Sequence, residues 1–85
     1  MGVFRDEAFE EQLRGLGADL PRLDDAIRYI EHQLSEHPES GVASEIPGIY
    51  VAHARLPHAG ELARFSIFYT FDGKDVTFRV LRRAP

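Results

Sequence analysis

With 85 residues, 44% of them apolar and nine aromatic, the chain has the size of one small domain with a limited core. The absence of cysteine excludes disulfides and thiolate metal sites, and a net charge of −4 argues against general affinity for nucleic acid. No apolar run is long enough to span a bilayer and "MGVFRDEAF" turns acidic too early for a signal peptide, so a soluble, cytoplasmic protein without a membrane partner is expected.

The first predicted element is a helix in "DEAFEEQLRGLG", with Asp6 as its cap and Phe9, Leu13 and Leu16 on one side; Gly15 and Gly17 weaken and then stop it. A second helix follows in "DLPRLDDAIRYIEHQLSEHP". Asp19 is its expected N-cap, Pro21 falls in the first turn, and Pro38 ends it. Leu20, Leu23, Ile27, Ile30 and Leu34 step by three and four, forming one apolar stripe, and Asp24 stands one turn before Arg28. The short link between the helices implies an antiparallel helical hairpin over 6–36, which must bury its stripe on something else.

Residues 37–48, "HPESGVASEIPG", read as a connecting loop. A strand over 49–56, "IYVAHARL", is closed by Pro57, and "PHAGE" (57–61) reads as a turn. "ARFSIFYTF" is apolar on both faces, which predicts a central strand covered on both sides. Asp72–Gly73 supplies the positive φ angles of a tight turn. In the return strand "DVTFRVLRR", Val76, Phe78 and Val80 should face one way, with Thr77, Arg79 and Leu81 facing the other. The expected fold is α+β: a single domain over 1–85, with the helical hairpin on one face of a three-stranded antiparallel meander at 49–83.

Charge is unevenly spread along this order. Residues 1–40 hold ten Asp/Glu against four Arg, whereas residues 41–85 hold six Lys/Arg against four Asp/Glu. The second half can therefore present a local basic face, the plainer alternative being ordinary surface charge. His53 and Arg55, two apart, share a face of their strand. A histidine titrates in a range useful to acid–base chemistry, and an arginine holds phosphate bidentately. Arg55, Arg64, Arg79 and Arg83 can assemble a patch on the sheet, with Arg82 beside them; alternatively these arginines pair with the acidic helices or an acidic partner. Tyr69 reads as core more readily than as a base-stacking platform. His32, His37 and His58 lack metal-ligand spacing, the serines lack a nucleophile motif, and no glycine loop cradles a phosphate, so neither metal nor cofactor is expected.

The order of elements, the helices "F..EAF..QL..L" and "DLPRLDDAIRYIEHQL", and the hairpin "RFSIFYTFDGKDVTFRVLRR" together resemble the RelE/ParE superfamily of toxin–antitoxin toxins. The resemblance implies a toxin held inactive by a cognate antitoxin. It would act either as a ribosome-dependent mRNA endonuclease or as an inhibitor of DNA gyrase. On the nuclease branch His53, Arg55 and Arg83 would be catalytic, and Arg64, Arg79 and Arg82 would bind RNA. The family usually opens with a full strand, for which only "MGVF" is available, so the first strand is short or missing. Its usual Arg after the aromatic falls on Ser66, with Arg64 two positions earlier on the same side, and its C-terminal Tyr has no counterpart in these 85 residues. A third reading is a non-toxic interaction domain whose exposed sheet edge takes up a partner strand.

Overall fold

A computed structural model describes residues 2–84. Seven elements follow in order: β1 (Val3–Arg5), α1 (Glu7–Gly17), α2 (Leu23–Glu36), β2 (Val42–Ala43), β3 (Ile49–His58), β4 (Glu61–Phe71) and β5 (Val76–Arg83). The strands form one five-stranded sheet in the order β1-β5-β4-β3-β2. The α+β architecture is as expected, but the sheet is mixed rather than a plain antiparallel meander. β1 exists, though it is only three residues long, and runs parallel to β5 with Val3 opposite Val76 and Arg5 opposite Phe78.

The helices cover one face of the sheet. Phe9 and Leu13 of α1 and Leu23, Ile27, Ile30 and Leu34 of α2 share a core with Ala52, Ala54, Leu56, Phe65, Ile67, Tyr69, Val76, Phe78 and Leu81. Burial of a large apolar side chain contributes about 1.5–3 kcal/mol, so these stripes are what hold the layers together. Asp6 caps α1 as expected, its Oδ1 accepting from the Ala8 N–H at 3.2 Å. The start of α2 differs from the expectation. Leu20–Arg22 forms a turn closed by Leu23 N–H donating to the Leu20 carbonyl at 3.0 Å, so the N-cap is Arg22 and Asp19 lies outside the helix. That turn drops Leu20 into the core. Neither helix is long and apolar enough to cross a membrane.

Arg5, opposite Phe78, faces the helices and lies among acids of α2. Its Nε donates to Glu31 Oε1 at 2.6 Å, and Asp24, itself 3.0 Å from Arg28, stands 3.7 Å away. The short first strand is thereby fastened to the second helix. On the outer side of β5, Leu81 N–H donates to Gln12 Oε1 of α1 at 2.8 Å, satisfying an edge donor that β1 does not reach.

The 37–48 connection contains β2, whose Val42 pairs with Val51. Its anchor is Tyr69, a core residue as the sequence suggests. The hydroxyl donates to the Pro38 carbonyl at 2.9 Å and accepts from Gly41 N–H at 3.1 Å, and burial pushes its pKa up. A Cβ at Gly41 would lie 2.5 Å from this hydroxyl oxygen and 2.8 Å from the Val51 carbonyl, so glycine is required by close approach.

Both hairpins turn differently from the sequence reading. β3 continues through Pro57, which pairs with Leu62, and the reversal is a two-residue turn at Ala59 and Gly60 with φ of 51° and 78°. That turn makes His58 and Glu61 the first hydrogen-bonded pair, so Pro57 occupies a position where no N–H toward β4 is required. The β4–β5 connection spans four residues, 72–75, and only Gly73 has a positive φ. Asp72 instead accepts from the N–H groups of Lys74 and Asp75 at 2.8 and 2.7 Å, which holds its carboxyl below the usual range.

Replacing Ala59 by Asn should raise stability by about 0.5–1 kcal/mol in chemical denaturation, because asparagine tolerates the left-handed conformation that costs alanine. Tyr69→Phe should cost about 1–3 kcal/mol by stranding the Gly41 N–H and the Pro38 carbonyl. Gly41→Ala should cost about 1–3 kcal/mol by crowding. Its penalty should be smaller in a Tyr69→Phe background, which removes the nearer of the two clashing oxygens; fully additive costs would show that this contact does not set the loop.

Candidate functional site

The face of the sheet away from the helices is uncovered, and register decides what stands on it. β4 and β5 pair as Phe68 with Val80 and Tyr69 with Phe78, which leaves Arg79 as an extra residue in β5. This β-bulge shifts the alternation by one. Leu81 rather than Val80 therefore joins Val76 and Phe78 in the core, and Val80 moves to the uncovered face, reversing the expected facing of both. Arg82 follows Val80 outward. Arg83, paired with the buried Phe65, stands on the helix side at the end of its strand.

The uncovered face is built in rows across the strands. Phe4, Thr77, Thr70 and Ile49 form one row, and Val80, Phe68, Val51 and Val42 the next. Then come Arg82, Ser66 and His53, and after them Arg64 and Arg55. β4 is thus central, as expected, but it is covered on one side only. Phe68 and Val80 are half-buried, whereas Phe4 and Val42 are 55% and 63% exposed. The face carries an apolar half beside a basic half.

Arg55 and Arg64 are directly opposite, which places their Cβ atoms about 5 Å apart, and like charges so placed destabilise a sheet. Neither forms an ion pair among the described residues, nor do Arg82 and Arg83. Arg82 lies over the Phe68 ring, 5.4 Å from its centroid, a contact worth about 0.5–1 kcal/mol when exposed. His53 is exposed, and its Nδ1 lies 3.2 Å from Ser66 Oγ.

Arg79 behaves differently. Its Nε donates to Thr70 Oγ1 at 3.2 Å and its guanidinium bonds Asp6 Oδ2 at 3.0 Å, a bond that holds the Asp6 carboxyl below its ordinary range together with the Ala8 N–H. Of the six residues singled out in the sequence, His53, Arg55, Arg64 and Arg82 therefore stand together with their polar ends unneutralised. Arg79 shares the face but has an acid of its own, and Arg83 meets Arg64 only around the strand end, where both line a hollow with His58.

A feature not anticipated from the sequence lies on the apolar half. The loop after β2 curls over the sheet, and Ser44, Glu45 and Ile46 join Ile49, Phe68, Arg79, Val80 and Arg82 around a hollow of about 400 Å³. The signal was present in "SEIPGI", where Ile46 stands in the Gly/Pro loop and Ile49 opens β3, but its partner surface depended on the bulge.

The Asp6 pair has a pH consequence. A depressed folded pKa contributes stability that is complete above the unfolded value near about pH 4 and is lost as pH falls through the folded value. Asp6→Asn retains a capping side chain but cannot titrate, so melting temperatures of this variant between about pH 2 and 5 should fall less steeply than those of the parent. Equal slopes would show that the pair with Arg79 does not contribute.

Compared with protein families, curated proteins and solved structures, the chain matches no family model, no curated protein and no solved structure.

Proposed function

We propose that this chain is the toxin half of a toxin–antitoxin pair of the RelE/ParE type and that it cleaves mRNA with the uncovered face of its sheet. The observation that carries the reading is the row arrangement of Arg82, Ser66 and His53 next to Arg64 and Arg55, with like charges directly opposed and none of these arginines in an ion pair among the described residues. Such a cluster weakens the free protein and gains its compensation from a bound polyanion.

The chemistry would be attack of a ribose 2′-hydroxyl on its own phosphodiester. In the tautomer whose Nδ1–H donates to Ser66 Oγ, the His53 Nε2 lone pair is free to take the 2′-hydroxyl proton. The 2′-oxygen then bonds to phosphorus, the bond to the 5′-oxygen breaks, and that oxygen takes a proton back, leaving a cyclic phosphate and a 5′-hydroxyl. Arg55, two residues along β3 from His53, and Arg82, in the same row beyond Ser66, would bear the charge that grows on the phosphate. Tyr69, buried with both hydroxyl bonds spent on the backbone, has no part in it. The exposed Phe4, Val42 and Ile46 fit coverage of the same face by an antitoxin segment that pairs apolar residues with acids.

Induced expression should arrest growth and create new mRNA ends. Arg55→Ala and Arg82→Ala should each remove the arrest with folding intact, by about 2–4 kcal/mol of transition-state stabilisation. His53→Ala should slow cleavage about 100-fold. Arg83→Ala should retain the arrest because its side chain lies on the helix side. Arrest that persists in the Arg55/Arg82 double variant, without new mRNA ends in the parent, would rule out the nuclease and shift the reading to a gyrase-type toxin.

A further inference from the structure

The hollow under the 44–46 loop, we infer, is a nucleobase pocket that selects guanine, an inference that rests on the RNA reading above. Its walls are the apolar side chains of Ile46, Ile49 and Val80 and the ring of Phe68, and its volume of about 400 Å³ suits a small planar ligand. The Arg82 guanidinium already lies over the Phe68 ring, so a flat group can stack at that place. Aromatic side chains hold bases in this way irrespective of sequence, and Arg82 can exchange the ring for a phosphate.

Selectivity comes from the rim. The Ser44 hydroxyl is committed within the loop, donating to the Ile46 carbonyl at 3.0 Å and accepting from Ile46 N–H at 3.1 Å. Glu45 is the carboxylate left on the rim. It forms no ion pair among the described residues, although Arg79 and Arg82 line the same hollow. A carboxylate has two acceptor oxygens and no donor. Guanine alone among the four bases presents two adjacent donors, N1–H and the 2-amino group, on one edge. Adenine and cytosine set an amine beside a ring acceptor, and uracil sets its N–H between two carbonyls that would repel the carboxylate.

The occupant is a single-stranded RNA rather than a peptide because the rows beyond the pocket are cationic. From Phe68 the next outward positions along β4 are Ser66 and Arg64, each step about 6.8 Å. A base on Phe68 therefore puts its phosphates toward Arg82 and the His53 row, with Arg64 and Arg55 beyond.

The test is fluorescence anisotropy of the intact protein with labelled, uncleavable 2′-O-methyl oligouridines carrying one central guanosine, adenosine or uridine. The guanosine oligomer should bind about 10-fold more tightly than the others, the size of discrimination expected of one bidentate base contact. Glu45→Gln should abolish that preference, and oligouridine should bind the variant more tightly than the parent because the repelling charge is gone. Phe68→Leu, checked for folding by circular dichroism, should weaken all three. Equal, salt-sensitive binding of the three oligomers would overturn the pocket and leave the RNA reading standing. Binding of an acidic, apolar peptide with no oligonucleotide bound would overturn the pocket too, and mRNA-end mapping would then judge the RNA reading separately.

Discussion

The bulge at Arg79 adds one residue to β5 opposite the Phe68–Tyr69 step, and because side chains alternate along a strand, every residue after it changes face. Leu81 enters the core between the helices and the sheet, and Val80 and Arg82 leave it. Without the extra residue, the uncovered face would carry Leu81 and Arg83, and Arg82 would be pressed toward the helix layer. The apolar floor beneath the 44–46 loop and the arginine at the end of the His53 row thus have one origin. Asp6, which caps α1 while bonding Arg79, ties the bulge to the start of the helix that covers the core.

Charge follows the same division into faces. The acids of the first half lie on or beside the helices, where Glu31 and Asp24 engage Arg5 and Asp24 also meets Arg28. Arg55, Arg64 and Arg82 of the second half lie on the opposite side of the sheet. The net charge therefore describes neither surface. A molecule with a net charge of −4 can hold an anion on one side because the intervening core separates the two fields. Sequence composition alone understates such a site whenever the opposite charge is spent locally.

The elements that were legible in the sequence owe their signal to local chemistry. Phe9 and Leu13, and Leu23 through Leu34, recur at helical spacing and all reach the core. The cap at Asp6, the stop before Pro38 and the central position of β4 were equally readable. The misread features depend on distant partners. Val42 and Ala43 become a strand because Tyr69 grips the loop beside β3, and Ala59 takes a left-handed conformation because the flanking strands demand that turn. For the candidate site, His53, Arg55 and Arg64 share a face by simple alternation. Arg82 and Arg83 exchange their expected places because nothing in "TFRVLRR" marks a bulge.

Pro57 has a consequence for how the chain behaves among its own copies. β2 pairs with β3 only at Tyr50 and Val51, so the outer side of β3 from His53 onward is bare. By the register of the hairpin, His53, Arg55 and Pro57 are the residues whose backbone groups point outward there. Proline supplies no N–H, and the neighbouring arginine would bring its charge against the same charge in an incoming strand. The exposed edge is therefore short, interrupted and self-repelling. A sheet that keeps one face uncovered and its edge guarded in this way resists stacking end to end into fibres.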